Sequence, residues 1–380
     1  MRFPDDVPVL TDGGVTLRAH REGDLDGMYT QSVDPVSQRF TSVPVPYTRD
    51  DARAYLESRR PAWEDGEAWS FAVESPWGAE QSGFSGSIGL RHRGSGLAEI
   101  GFGAHPDARG HGVMTRAVRL ITSWAFDSQG LHAIGWETME GNVGSLKVAW
   151  KTGFAFEGST RARLPRRGEH LNGWRATLLA TDSREPKNRW LDPVPLSDGR
   201  VRLRALRLDD ETRYIETNDD PESLRWLGNI PFPHDSDAFC GHLARGPLGS
   251  VSGAAVEWAI ADVEDDRYLG TLNFFGMTGL DYKSAEVGYR THPDARGRGV
   301  LKSSLNLALG HAFASEEDGG LGLERVSLNA GDGNLGSQGV ARTCGFTETG
   351  RDRQNYDLYD GSVVDLVRFD ILKSEFDPRP

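Results

Sequence analysis

The sequence predicts a mixed α/β (α+β) fold built twice in one chain. Three observations predict it. The segment HPDARGHGV at His105–Val113 recurs as HPDARGRGV at His292–Val300, an offset of 187 residues, and differs only at His111 versus Arg298. Five further matches keep the same order in both halves. They are VTLRA at Val15 with VRLRA at Val201, Asp34-Pro35 with Asp220-Pro221, Trp69 with Trp258, AEIGF at Ala98 with AEVGY at Ala285, and Asn142, Ser145, Gly153 and Phe154 with Asn334, Ser337, Gly345 and Phe346. A period this long is a domain duplication and not a solenoid, whose repeats run to about 20–50 residues. In each copy, finally, a strand pattern gives way to a helical one across a glycine loop.

The elements follow in order. Val15–His20 alternates apolar and polar residues, as a half-buried strand does. Trp69–Val73 and Gly86–Leu90 suggest two more strands, and a turn at Arg93–Gly96 leads to the strand carrying Glu99. After Gly112 the period changes: Val113, Ala117, Leu120, Ile121, Trp124 and Ala125 fall on one helical face. Val300, Ser304, Leu307, Ala308 and Ala312 repeat that spacing in the second copy. The second copy then gains about five residues, placed at Glu316–Gly320, because the later matches are offset further than the earlier ones. Ser183–Gly199 is rich in Pro, charge and turn formers, as linkers are. The expected organisation is an N-terminal domain 1–183, a linker 184–195 and a C-terminal domain 196–380, with Trp190 and Leu191 docking the connector.

Composition narrows the function classes. Apolar residues make up 37% and charged residues 26% of the 380-residue chain, enough for packed cores and unlike a disordered chain. The longest apolar run falls short of the ~20 residues of a membrane span, and MRFPDDVPVL lacks the basic and apolar regions of a secretory signal. With only Cys240 and Cys344 no disulfide framework is possible, which fits a cytoplasmic setting. A net charge of −13 without a basic cluster disfavours nucleic acid. His105 and His292 each precede a Pro and are read as holding the loop; His111, His132 and His170 lack metal-ligand spacing, so no metal is expected.

A strand, a glycine loop and a helix start aim backbone N–H groups and a helix dipole at one spot, an arrangement that binds phosphate. Arg109-Gly110-His111-Gly112 and Arg296-Gly297-Arg298-Gly299 suit it: glycine permits close approach and arginine adds a charged fork. The spacing fits neither GxGxxG nor the ATP-binding P-loop. The combination of (R/Q)xxGxG/A at a strand–helix junction, followed about 30 residues on by Asn, Ser and then Gly-Phe, resembles the GNAT acetyltransferase superfamily. The NxxSxxVxxxxGF pattern at Asn142, Ser145, Val148, Gly153 and Phe154, and at Asn334, Ser337, Val340, Gly345 and Phe346, is similar to its RimJ/RimL-like branch. The resemblance covers both halves. It departs at Met114 and Leu301, where the family has Gly or Ala.

The resemblance implies two tandem GNAT domains, each a mixed, largely antiparallel central sheet flanked by helices. It also implies acetyl-CoA, or another acyl-CoA, as cosubstrate without a metal. The cofactor would be held by Phe102, Ala104, Arg109, Gly110, His111, Gly112, Val113, Met114 and Asn142 in the first half. In the second half the counterparts are Tyr289, Thr291, Arg296, Gly297, Arg298, Gly299, Val300, Leu301 and Asn334. Acyl transfer to an amine needs a proton acceptor for the amine and a proton donor for the departing thiolate. The family points to Glu99 and Glu286 as bases, to Glu137 as a second candidate whose counterpart is Asn329, and to Ser145 and Ser337 beside the thiolate. Each has a plainer reading: a solvated strand carboxylate, or a serine in an ordinary helix cap. Cys344 reads as structural. The expected acceptor is a primary amine of a peptide or protein N-terminus or of a small molecule, received by loops near Pro35–Tyr47 and Pro221–His234, in a monomer or homodimer. The rival functions are an acyl-CoA sensor without catalysis, an interaction module with disused clefts, and one active domain joined to a degenerate one.

Overall fold

The structure is a computed structural model that describes residues 6–80, 82–226, 234–278 and 283–377. The chain divides into units Met1–Lys187 and Asn188–Pro380, a division that falls inside the expected linker. In the first unit the order is β1 (Leu10–Thr11), β2 (Thr16–Arg18), α1 (Leu25–Val33), α2 (Pro35–Phe40), α3 (Arg49–Glu64), β3 (Ala68–Glu74), β4 (Phe84–Gly94), β5 (Leu97–Ala104), α4 (Val113–Asp127), β6 (Ala133–Met139), α5 (Val143–Lys151), β7 (Ala155–Arg166) and β8 (Glu169–Leu179). The second unit repeats it with β9 (Leu196–Ser197), β10 (Val201–Arg204), α6 (Glu211–Asp219), α7 (Pro221–Trp226), α8 (Ser236–Ser252), β11 (Val256–Asp262), β12 (Tyr268–Phe275), β13 (Ser284–Thr291), α9 (Val300–Phe313), β14 (Arg325–Gly331), α10 (Leu335–Thr343), β15 (Thr347–Asp357) and β16 (Val363–Leu372).

Each unit is one eight-stranded sheet, ordered β1-β2-β3-β4-β5-β6-β8-β7 in the first and β15-β16-β14-β13-β12-β11-β10-β9 in the second. Every pairing is antiparallel except β5 with β6 and β13 with β14, so the expected largely antiparallel sheet is found. The crossover helices α4 and α9 join those parallel strands, as a parallel pair requires. The α4 stripe Val113, Ala117, Val118, Ile121 and Ala125 is buried against sheet residues such as Trp69, Ile88 and Trp136. Leu120 and Trp124, expected on this face, lie half-buried at its flank, with Trp124 packed edge-on to Trp69 at 4.9 Å. Leu191 is buried in the second core, and its N–H donates to Ser250 at 3.2 Å.

One irregularity positions everything that follows. The β5–β6 ladder runs only from Leu97↔Ala133 to Ile100↔Trp136. Beyond it, Gly101–Ala104 stay paired to β4 and Glu137–Met139 to β8, and the two parallel strands part from each other. In the second unit β13 and β14 part after Glu286↔Ser327.

Candidate active site

The parted strands open a cleft. In the first unit a cavity of 330 Å³ is walled by Phe102–Ala104 of β5, by the loop Arg109–Gly112 and the start of α4, and by Asn142, Ser145, Lys147 and Lys151. A second cavity of 540 Å³ lies against the same strand and includes Glu99, Gly101, Phe102 and Gly103. Thr41, Phe102 and Gly103 belong to both, so the two cavities meet there.

The loop explains its glycines. Gly110 has φ +81° and Gly112 φ +72°, and Gly297 and Gly299 repeat this at +70° and +75°. A Cβ at Gly110 or Gly112 would meet no protein atom, so the protein leaves a bare, strained turn facing open space. Gly112 is the N-cap of α4, and the first N–H groups of a helix lack intrahelical acceptors. A turn of this kind suits the pyrophosphate of a CoA. Lys147 and Lys151 add positive charge on the opposite wall. The residues present therefore fit the expected cofactor.

One nitrogen of each loop arginine is already engaged. Arg109 Nη2 donates to Asp34 Oδ2 at 2.6 Å, to Ser37 Oγ at 3.0 Å and to the Ala104 carbonyl at 3.4 Å. Arg296 repeats the brace on Asp220, on Ser223 Oγ at 3.0 Å and on the Thr291 carbonyl at 3.4 Å. The sequence reading gave these guanidiniums to phosphate; the structure turns this nitrogen of each towards the N-cap aspartate of a helix. The guanidinium beside each lowers the pKa of Asp34 and Asp220, against the opposing effect of burial. In the second unit, Arg200 of the β9–β10 turn lies over the loop, donating to the Arg298 carbonyl at 3.4 Å. His111 stacks on Trp77, centroids 5.2 Å apart and planes 9° from parallel. His105 is buried and accepts from the Asp107 N–H; His292 does the same with Asp294. The side chains of Met114 and Val113 are buried under the loop.

The serines are free of the capping task. Asn142 Oδ1 and Asn334 Oδ1 accept from the Ser145 and Ser337 N–H groups at 3.3 and 3.1 Å, so asparagine caps each helix. Ser145 Oγ instead accepts from the Trp136 indole N–H at 3.0 Å. Leu328 stands in Trp136's place in the second unit, and there Ser337 Oγ lies 2.9 Å from the hydroxyl of Tyr289, which replaces Phe102. Burial pushes the Tyr289 hydroxyl far up, against its bond to Ser337.

The glutamates differ between the halves. Glu99 is ion-paired with Arg93 at 2.5 Å. Glu137 points to the same side of the sheet as Glu99 and accepts from Thr160 Oγ1 at 3.4 Å. Glu286 is half-buried, and burial raises its carboxyl above the usual range, with a hydrogen bond to Asn329 opposing the rise. Cys344 is buried and its thiol is pushed up to about 11, the state of an inert core cysteine. No cluster of His, Cys, Asp or Glu suited to a metal occurs among the described residues, and none of their helices is long and apolar enough to cross a membrane. Of the two expected acceptor loops, residues 227–233 lie outside the described residues.

Sequence reasoning missed Asp34, Trp136, Lys147, Lys151, Arg200 and Arg93. Only the Asp34–Asp220 match hinted at any of them.

Comparison with known proteins gives the family. The family model described as an acetyltransferase (GNAT) domain matches twice, at residues 15–155 and 200–347. The "Uncharacterized N-acetyltransferase p20" of Bacillus licheniformis is 26% identical over 177 residues, which is 47% of this chain and 95% of that protein. YdaF of Bacillus subtilis, whose name places it with the ribosomal N-acetyltransferases, is 32% identical over 114 residues, 30% of this chain and 58% of its own. Among solved structures, Mycobacterium smegmatis RimJ in complex with CoA-disulfide aligns with a TM-score of 0.42 at 22% identity, over 48% of this chain and 87% of that one. Matched by the family model in both halves over most of its length, the chain belongs to the GNAT acetyltransferases and carries two such domains in tandem.

Proposed function

We propose that the protein transfers an acyl group directly from acyl-CoA to a primary amine, with no acyl-enzyme, and that the first domain carries most of the turnover. The observation behind this is the meeting of its two cavities at Phe102 and Gly103, so that a thioester in one cavity and an amine in the other come into reach. When bound, acyl-CoA supplies the activated acyl group; the chain supplies position and protons. Gly110–Met114 and the two lysines hold the phosphates, and beyond Ile100 the edge of β5 that no longer pairs with β6 is open to hydrogen-bond the acyl carbonyl. The indole N–H of Trp136 occupies a lone pair of Ser145 Oγ, so the serine O–H is left to point into the cleft as donor to a departing thiolate. Glu137, or Glu99 once released from Arg93, accepts the amine proton. Trp136 acts through Ser145 and is a positioning residue.

One observation favours a second reading, in which the second domain is also catalytic. Glu286 is half-buried without a salt bridge among the described residues, and burial raises its pKa, which makes it a stronger base than an ordinary carboxylate. Kinetics decide. Under the first reading Ser145→Ala/Glu137→Gln costs about 10²–10⁴-fold in kcat, while Ser337→Ala/Glu286→Gln costs little. Equal losses would establish two working sites.

A further inference from the structure

The 540 Å³ cavity has an unusual charge arrangement for an acidic chain. Two carboxylates and two guanidiniums that matter line it: Asp51, Glu99, Arg59 and Arg91. Both carboxylates are engaged. Asp51 accepts from Thr48 N–H and Oγ1 at 2.8 and 2.6 Å, and Glu99 is held by Arg93. Among the described residues, neither Arg59 nor Arg91 has an ion-pair partner, although most arginines around them do. Arg59 is half-buried and held in place: its guanidinium carbon lies 4.0 Å from the Tyr55 ring centroid and its Nε donates to the Tyr55 carbonyl at 3.2 Å. Arg91 is the direct cross-strand neighbour of Glu99, which places their Cβ atoms about 5 Å apart on one face. Between them the strand is bare. Gly101 has no atom within 4 Å of where its Cβ would lie, which in a strand interior marks a place where a ligand approaches closely.

The second domain reaches a similar result with another residue. Arg290 stands where the first domain has Gly103, hydrogen-bonded to Asn218, with its charge 5.9 Å from the Tyr214 ring centroid and no ion-pair partner among the described residues. The neighbouring Glu257 pairs with His242 at 3.0 Å and also feels the charge of Arg290.

From this placement we infer that the acceptor amine carries an anionic group, a carboxylate or a phosphate, which Arg59 and Arg91 read in the first domain and Arg290 in the second. The inference rests on the acyl-transfer reading above. A guanidinium offers a planar fork to either anion; half-buried Arg59 and Arg290 and exposed Arg91, none in an ion pair among the described residues, are left able to receive one.

The test uses the full chain, acetyl-CoA and thiol release. The acceptors are acidic, neutral and basic tetrapeptides with free N-termini, together with O-phosphoethanolamine and ethanolamine. The expected result is a kcat/KM at least tenfold higher for the acidic peptide than for the neutral one, or for phosphoethanolamine than for ethanolamine. Whichever pair shows the preference tells carboxylate from phosphate. Arg59→Gln/Arg91→Gln, and with Arg290→Gln added, should raise KM for the anionic acceptor about tenfold or more. Titrated CoA should bind as before, which also reports an intact fold. Arg59→Glu/Arg91→Glu should shift the preference towards the basic peptide. Equal use of all acceptors, or a preference that survives these substitutions, overturns the inference and leaves acyl transfer standing. Failure to bind CoA, or no thiol release with any amine, overturns the acyl-transfer reading and this inference with it.

Discussion

His20 lies beside Tyr55 and Ser70, two residues of the 540 Å³ cavity, with Nδ1 buried and unpartnered. Its Nε2 lies 3.4 Å from Ser70 Oγ. Burial lowers its pKa to about 4, against a usual 6.5, so the folded domain holds the neutral ring while the unfolded chain takes up a proton. Stability is therefore full above about pH 6.5 and falls as pH drops towards 4, by at most about 3 kcal/mol. The second domain has Leu206 in this place. His20→Leu should flatten the first domain's denaturation midpoint between pH 6.5 and 4, and an unchanged pH slope would refute this account. Gly112 makes a sharper case. Any other residue at φ +72° is strained by about 1–2 kcal/mol, and its side chain would project into the open space beside the loop. Gly112→Val should abolish CoA binding in the first domain and Gly299→Val in the second, so that calorimetric titration of each variant finds one site where the parent shows two. The turn these glycines make was legible because their task is local; the capping by Asn142 and Asn334 was not, since the sequence offered the serines for it. The brace of Arg109 on Asp34 was not legible because the two lie 75 residues apart, and single-sequence patterns carry no such distance.

The parting of β5 from β6 is the element that turns a sheet into an enzyme framework, and it was not legible. Val, Ile and Trp patterning specifies strands and faces, but where a ladder stops depends on packing from both sides. Trp136 lies at that point and on the buried face. Leu328 in the second domain shows that the fold accepts a smaller apolar residue there. Trp136→Phe should thus keep the fold, at a packing cost of about 1–3 kcal/mol, and lower kcat about tenfold with little change in acceptor KM. In a Ser145→Ala background the same substitution should have almost no further effect, since residues acting through one group are not additive. Additive losses would mean that the indole works by another route.

The two halves keep the loop glycines and the asparagine caps but differ at Glu137 and Asn329 and at Trp136 and Leu328. The repeat, the mixed sheet and the family were legible in the sequence because motifs recur in the same order; the differences in partner around Ser145 and Ser337 were not, since Trp136 and Tyr289 reach them from different strands. The halves should also differ in pH response. A base must be deprotonated, and Glu286 holds its proton to a higher pH than an ordinary carboxyl. Any turnover left in a Ser145→Ala/Glu137→Gln chain should lose activity at a higher pH on the acid side than the parent, and should lose that limb in Glu286→Gln. A profile matching the parent's would exclude Glu286 as its base. The brace of Arg109 on Asp34 has a thermodynamic consequence as well. It ties the glycine loop to α2, whose Val36, Ser37 and Phe40 wall the first cavity and whose C-cap Thr41 walls both. Filling one cavity therefore changes the free energy of filling the other, and linkage makes the effect reciprocal. The factor by which an acceptor tightens CoA must equal the factor by which CoA tightens that acceptor, and Asp34→Asn should bring both towards one together.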